Sequence, residues 1–196
     1  SPGTSASSPS GASGQQTVAG VTITTDAKLR ALLPQAILSA NEVRVACDIP
    51  YPPWEMFTVP GSNELTGIDY LLGQALGAKL GVPFVFQQTV FDSIIPALQA
   101  GKADIVMSAM YDNVAREKVL TFVDYAKDGT ALLVLKGNPQ HITDLASLAG
   151  KTVSAESGTT QLLLAQKLQA QFKAEGKAPL TILQYPKDSD AQLAVK

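Results

Sequence analysis

The chain has little with which to hold a metal, close a disulfide or run nucleophilic catalysis. Its 196 residues contain one cysteine, Cys47, and one histidine, His141. A single cysteine cannot form an intramolecular disulfide, and with one histidine it is too little for a zinc or iron site, so no metal and no cofactor is expected. Cys47 reads as a small buried hydrophobe at a strand end, and His141 as a loop residue at the surface. No Gly-x-Ser-x-Gly elbow and no Gly-x-x-x-x-Gly-Lys-Ser/Thr phosphate loop is present, so no catalytic residue is assigned. Charge is sparse as well. Only 16% of residues are charged, 15 basic against 17 acidic, for a net −2. Without a clustered basic surface, no nucleic-acid partner is expected. No apolar run reaches the length of a membrane-spanning helix.

No charged residue precedes Asp26, and residues 1–14 are Ser, Gly, Pro, Ala and Thr alone. Such a stretch cannot bury a core, so residues 1–25 are expected to be a disordered linker. A secreted or lipid-tethered protein whose signal has been removed often begins this way; the alternative is a low-complexity end without a role.

Hydrophobic residues make up 45% of the chain, enough for one ordinary domain or two small lobes. Asp26 can cap a helix through Leu29, Leu33 and Ile37, interrupted by Pro34. From Val43 onward short apolar runs alternate with helical spacings. Strands are expected at residues 43–47, 83–86, 103–107, 131–135, 151–155 and 180–183. Helices are expected at residues 69–80, 93–100, 113–120, 144–148 and 159–174, with another starting at Asp188 or Ser189. This alternation predicts an α/β fold with mostly parallel sheets covered by helices on both faces. Ligands of such sheets bind beyond the carboxyl ends of the strands.

Four strand-end features could carry chemistry. Asp48 follows a strand and is trailed by Tyr51 and Trp54 across a proline-stiffened loop. A carboxylate between aromatic faces suits a cation or an amide, although a turn-capping Asp beside core aromatics would look the same. Arg116 stands in the first turn of a helix capped by Asn113, where the dipole favours an acid. A cation there looks like half of an anion clamp; the alternative is a solvated arginine paired with Asp112. Residues 157–160, Ser-Gly-Thr-Thr, present N–H and O–H groups at a helix start. Glu156, just before them, adds a second acid.

In this order and spacing, the chain from Val43 onward resembles the polar-amino-acid solute-binding proteins of ABC importers. The resemblance rests on residues 46–55 with Asp48, Tyr51, Pro52, Pro53, Trp54 and Glu55, on Thr66-Gly67-Ile68-Asp69, and on residues 91–105. Ala115-Arg116-Glu117-Lys118, Lys151-Thr152-Val153 and Ser157-Gly158-Thr159-Thr160-Gln161 complete it. It implies a periplasmic-binding-protein-like fold, with two α/β lobes joined by a hinge and closing on a free amino acid. The first lobe would take residues 26–128 and the second, incomplete, residues 129–196, meeting near residues 127–130. The resemblance makes Asp48 the contact to the ligand's side chain. Tyr51 and Phe91 are its sandwich walls, with Trp54 behind them, and Arg116 grips the α-carboxylate. Ser108 and Ala109 contribute from the first lobe, and Thr159, Thr160 and Gln161 from the second. The implied partners are the free amino acid and an ABC-transporter membrane permease, with a lipid tether at the N-terminus, in an extracytoplasmic location.

Two departures stand out. Tyr111 occupies a position where the family usually has a small hydroxyl, so its phenol would narrow the pocket or reach the ligand. Asp48 and Glu156 together would favour a cationic or amide side chain. The family's later strand, bearing an aspartate for the α-amino group, does not follow, which reads as truncation at the C-terminus and predicts weak binding by these 196 residues alone. The competing readings are a cyclohexadienyl-dehydratase-like lyase, with Glu156 as general acid, and a ligand-sensing module of a receptor.

Overall fold

The computed structural model describes residues 14–195. Residues 1–13, most of the expected linker, lie outside the described residues. The rest of that linker is ordered. Strands β1 (Gln15–Val18) and β2 (Val21–Thr24) pair antiparallel, Gln15 opposite Thr24. Six of the eight residues are β-branched, and Ala19 and Gly20 both turn with positive φ (48° and 79°), as a tight hairpin requires. Density of β-branched residues, not charge, decided this segment. The hairpin's exit is tied down: the Thr25 hydroxyl donates to the Ala78 carbonyl at 2.9 Å, and the Asp26 N–H donates to the Lys79 carbonyl at 2.8 Å.

Asp26 caps α1 (Ala27–Arg30) as expected, accepting from the N–H groups of Lys28 and Leu29. Pro34 splits the predicted helix, and α2 (Gln35–Ala40) starts directly after it. The first lobe is then built on a parallel sheet. Its central strand β3 (Val43–Cys47) is followed by a small antiparallel pair, β4 (Met56–Phe57) and β5 (Leu65–Thr66). Next come α3 (Ile68–Leu80), β6 (Phe84–Gln88), α4 (Ile94–Gln99) and β7 (Ile105–Val106), in sheet order β6-β3-β7. Val43, Val45, Val82, Phe84 and Met107 form the core on one face of this sheet; Ala46, Ile94 and Ala103 form it on the other. The alternation along β3 feeds both faces, as a doubly covered strand must. Cys47 is a buried thiol, as expected.

Asn113 caps α5 (Val114–Glu117), one turn rather than the longer helix expected. The strand predicted at residues 131–135 does not form. These residues carry the apolar pattern of a buried strand, but a strand also needs a neighbour's N–H and C=O groups, and none among the described residues pairs with them. They are exposed instead, Leu133 at 62%. A 3₁₀ turn, Ala146–Leu148, replaces the short α-helix expected there. The second lobe holds β8 (Thr152–Glu156), α6 (Thr160–Ala174), β9 (Thr181–Tyr185) and α7 (Asp188–Leu193), with β8 and β9 parallel. Its core is separate: Leu148, Leu168, Phe172 and Leu180.

Candidate ligand-binding site

Each strand of the two parallel sheets ends on the same seam, and the polar groups collect there. Asp48 leaves β3 with its carboxylate held on both oxygens. Gln88, at the end of neighbouring β6, donates its side-chain amide at 2.8 Å, and the Phe91 backbone N–H donates at 2.9 Å. Asp48 is thus an oriented, buried acid and not a turn cap. The same bond sets Phe91 at the start of the 3₁₀ turn Phe91–Ser93.

Tyr51 and Trp54 lie on a loop that folds back on itself: the Tyr51 N–H donates to the Glu55 carbonyl at 2.6 Å. The loop docks on the start of α3, where the Asp69 N–H reaches the Trp54 carbonyl at 2.8 Å. Glycine is required at 67, because φ is 115° and a Cβ would lie 2.3 Å from the Trp54 carbonyl oxygen. Trp54 is half-buried and meets Tyr125 edge-on, with ring centroids 6.4 Å apart. Burial first, then the acids around it, pushes the Tyr51 phenol up to about 12.

Arg116 is not the solvated arginine of the alternative reading. It is 8% exposed and forms no ion pair with Asp112 among the described residues. Its guanidinium stacks 5.6 Å from the centre of the Phe91 ring. It donates to the Tyr111 carbonyl at 2.5 Å and, across the seam, to the Gly158 carbonyl at 3.0 Å. Burial alone pulls its proton affinity down from the arginine norm, so the charge sits in a poorly solvated place. Gly158, at φ 79°, approaches the first lobe so closely that a Cβ would lie 3.0 Å from Asp92. Tyr111 turns its phenol toward Asp128, and burial followed by that carboxylate raises its pKa.

The second lobe brings Glu156 to the Asp48 carboxylate. Burial, then Asp48, pushes Glu156 up to about 8, while the Asp188 backbone N–H at the start of α7 offsets part of the rise. Thr159 is buried, but its hydroxyl caps the strand-to-helix turn, donating to the Glu156 carbonyl at 2.7 Å and accepting from the Leu162 N–H at 3.2 Å. The Thr160 hydroxyl donates to the Gln161 side chain at 3.1 Å. Both side chains stand in the first turn of α6, whose leading N–H groups lack intrahelical acceptors. Ser108 is buried behind Asp48, and Ala109, with φ 44°, presents its edge from the end of β7.

Sequence reasoning missed Gln88, Asp188, Glu55 and Asp69 as parts of this constellation. Gln88 and Asp188 had a usable signal, since each sits at a strand exit of the kind inspected. Glu55 and Asp69 stood within the motifs of the resemblance, but nothing marked them as a pair, because only the docking of the 51–55 loop on α3 joins them.

A family model for bacterial extracellular solute-binding proteins, family 3, matches residues 43–194. A putative ABC transporter arginine-binding protein of Escherichia coli K12 is 34% identical over 122 residues, 62% of this chain and 49% of that protein. The chain spans about half the length of the curated relatives it matches. Among solved structures, an ancestral amino-acid-binding protein, a precursor of cyclohexadienyl dehydratase, superposes with TM-score 0.72 at 32% identity, covering 82% of this chain and 68% of that one. An ancestral arginine-binding protein bound to arginine gives 0.71 at 33% identity, covering 79% and 65%. The architecture is therefore periplasmic-binding-protein-like: two α/β lobes with mostly parallel sheets.

Proposed function

Since the chain belongs to the bacterial extracellular solute-binding proteins of family 3, we propose that it is the ligand-gripping part of an extracytoplasmic ABC-importer component. It holds a free amino acid with a cationic or amide side chain between its lobes and presents it to a membrane permease. One observation carries this reading: a buried guanidinium, Arg116, and two buried acids, Asp48 and Glu156, face one seam between two sheets. The α-carboxylate lies on Arg116 and the first turn of α6, taking the place of the Gly158 carbonyl. The side chain runs between Tyr51 and Phe91 toward Asp48 and Glu156. Tyr111 closes the far side, with Ser108, Ala109, Thr160 and Gln161 at the rim. The similar proteins named for arginine make L-arginine the first candidate. The lobe boundary falls near residues 127–130, and a lipid tether precedes the first lobe.

An NMR titration to millimolar amino acid tests the reading. L-Arginine should shift resonances of Asp48, Phe91 and Arg116, and L-glutamate should not. Equal shifts by both, or none, would reject it. Radiolabelled palmitate incorporation in cells tests the tether.

A second reading rests on Glu156, a buried acid pushed up to about 8 and so able to donate a proton at neutral pH. In a dehydratase it would protonate the departing ring hydroxyl of prephenate as water. The ring carboxylate would leave as carbon dioxide, its bonding electrons completing the aromatic ring. Incubation with prephenate and a search for phenylpyruvate separates this reading from the first.

A further inference from the structure

Behind Ser108 and Ala109 lies a buried chain of polar groups that ligand contact does not explain. Glu55, from the 51–55 loop, is 1% exposed, and Asp69, from the first turn of α3, is 0% exposed. The two carboxyl groups are neighbours, since they bond the adjacent residues Ser108 and Ala109. Asp69 accepts the Ala109 N–H at 2.8 Å on one oxygen and the Tyr125 hydroxyl at 2.7 Å on the other. Glu55 accepts the Ser108 hydroxyl at 2.9 Å on Oε1, and Ser108 in turn accepts the Asp48 N–H at 2.9 Å. The remaining oxygen, Glu55 Oε2, is buried with no donor.

Two neighbouring carboxylates shut off from water oppose each other's ionisation. Hydrogen-bond accounting says where the proton sits. Both Asp69 oxygens already accept a donor, so the oxygen left to carry the proton is Glu55 Oε2. Every donor in the chain then has an acceptor, and the orphan oxygen is gone. Burial, followed by the Asp69 charge, pushes Glu55 up to about 9. The other groups facing the pair are Asp48 and Cys47 from β3, Ser108 beyond β7 and Tyr125 from the segment crossing between the lobes; none of them is a cation. Ala109 supplies an independent sign of constraint. Its left-handed backbone, φ 44°, is costly for a non-glycine residue and persists only where its surroundings over-determine it.

We propose that Glu55 and Asp69 share a single proton and act together as a positioning device, fixing the Ser108–Ala109 corner from behind. It rests on the binding reading only for the use to which the corner is put. When the shared proton leaves, the carboxylates repel and the Ala109 N–H loses its fixed anchor.

The pair is tested without ligand. Infrared spectra of the Glu156→Gln protein, which removes the other raised acid, should show a protonated-carboxyl carbonyl stretch at pH 7. Adding Glu55→Gln should abolish it. The Ala109 amide resonance should move as pH passes about 9. In Glu55→Gln, whose amide supplies the same donor and acceptor, it should stay still. Asp69→Asn should displace it at every pH. No carboxyl band at pH 7, a band that survives Glu55→Gln, or an Ala109 amide that titrates equally in both proteins would overturn the proposal. If these signals behave as expected while L-arginine fails to bind at any pH, the pair stands and the binding reading falls.

Discussion

Arg116 shows what a residue in an unfavourable place conveys. Its helix proves to be a single turn, so the dipole decides little. The cation is buried, with backbone carbonyls and the Phe91 ring around it, and in the proposed reading the ligand's carboxylate is its counter-charge. Arg116→Lys keeps the charge but loses the planar fork, and should weaken L-arginine binding by about 10- to 100-fold, from a charge-assisted bond of about 1.5–3 kcal/mol. Calorimetry or NMR titration reads the change. Glu156 gives a pH signature of definite sign. Its folded pKa is raised, from 4.5 to about 8, so its contribution to stability is complete below about pH 4.5 and is lost as pH rises toward 8. Glu156→Gln should therefore flatten the fall in urea-unfolding stability across that window, leaving only the part due to Glu55. Asp48, Phe91 and Arg116 were legible in the sequence because each stands at a strand exit or a helix start, positions that local pattern marks. Glu55 and Asp69 were not. They come from segments separated by a two-stranded hairpin, and nothing periodic links them.

At the scale of elements, local chemistry was readable where an element satisfies itself and misleading where it needs a neighbour. The caps Asp26, Asn113 and Thr159 each bond the N–H groups that a capping side chain should. Residues 131–135 had the right pattern for a strand and no partner, whereas residues 15–24 looked like linker and made a hairpin, because the turn brings the two strands together. The 51–55 loop depends on contact with α3, and Gly67 is its narrow point. Gly67→Ala adds a methyl group against the Trp54 carbonyl and strains a backbone at φ 115°. It should lower stability by more than about 1 kcal/mol, seen as a drop in Tm, and displace Tyr51 and Trp54 together.

For the molecule as a whole, two cores that share no buried residue imply two units that can open separately. Phe172 is 1% exposed and central to the second core. Phe172→Ala should cost about 3–5 kcal/mol. Hydrogen exchange should then show β8 and β9 losing protection while β3 keeps it; equal loss in both would mean one cooperative unit. The alternating strand and helix spacings gave the α/β class and the resemblance implied two lobes, but the closeness of their approach was not legible. It depends on Gly158, whose missing side chain lets one lobe's backbone meet Asp92 and the Arg116 fork of the other. The contact between Trp54 and Tyr125 has a practical consequence. Trp54 is the chain's single tryptophan, on the loop of the candidate site and edge-on to Tyr125. Its fluorescence, excited selectively, comes from one spot on that loop, so the unlabelled protein carries its own optical gauge of how firmly the loop is seated.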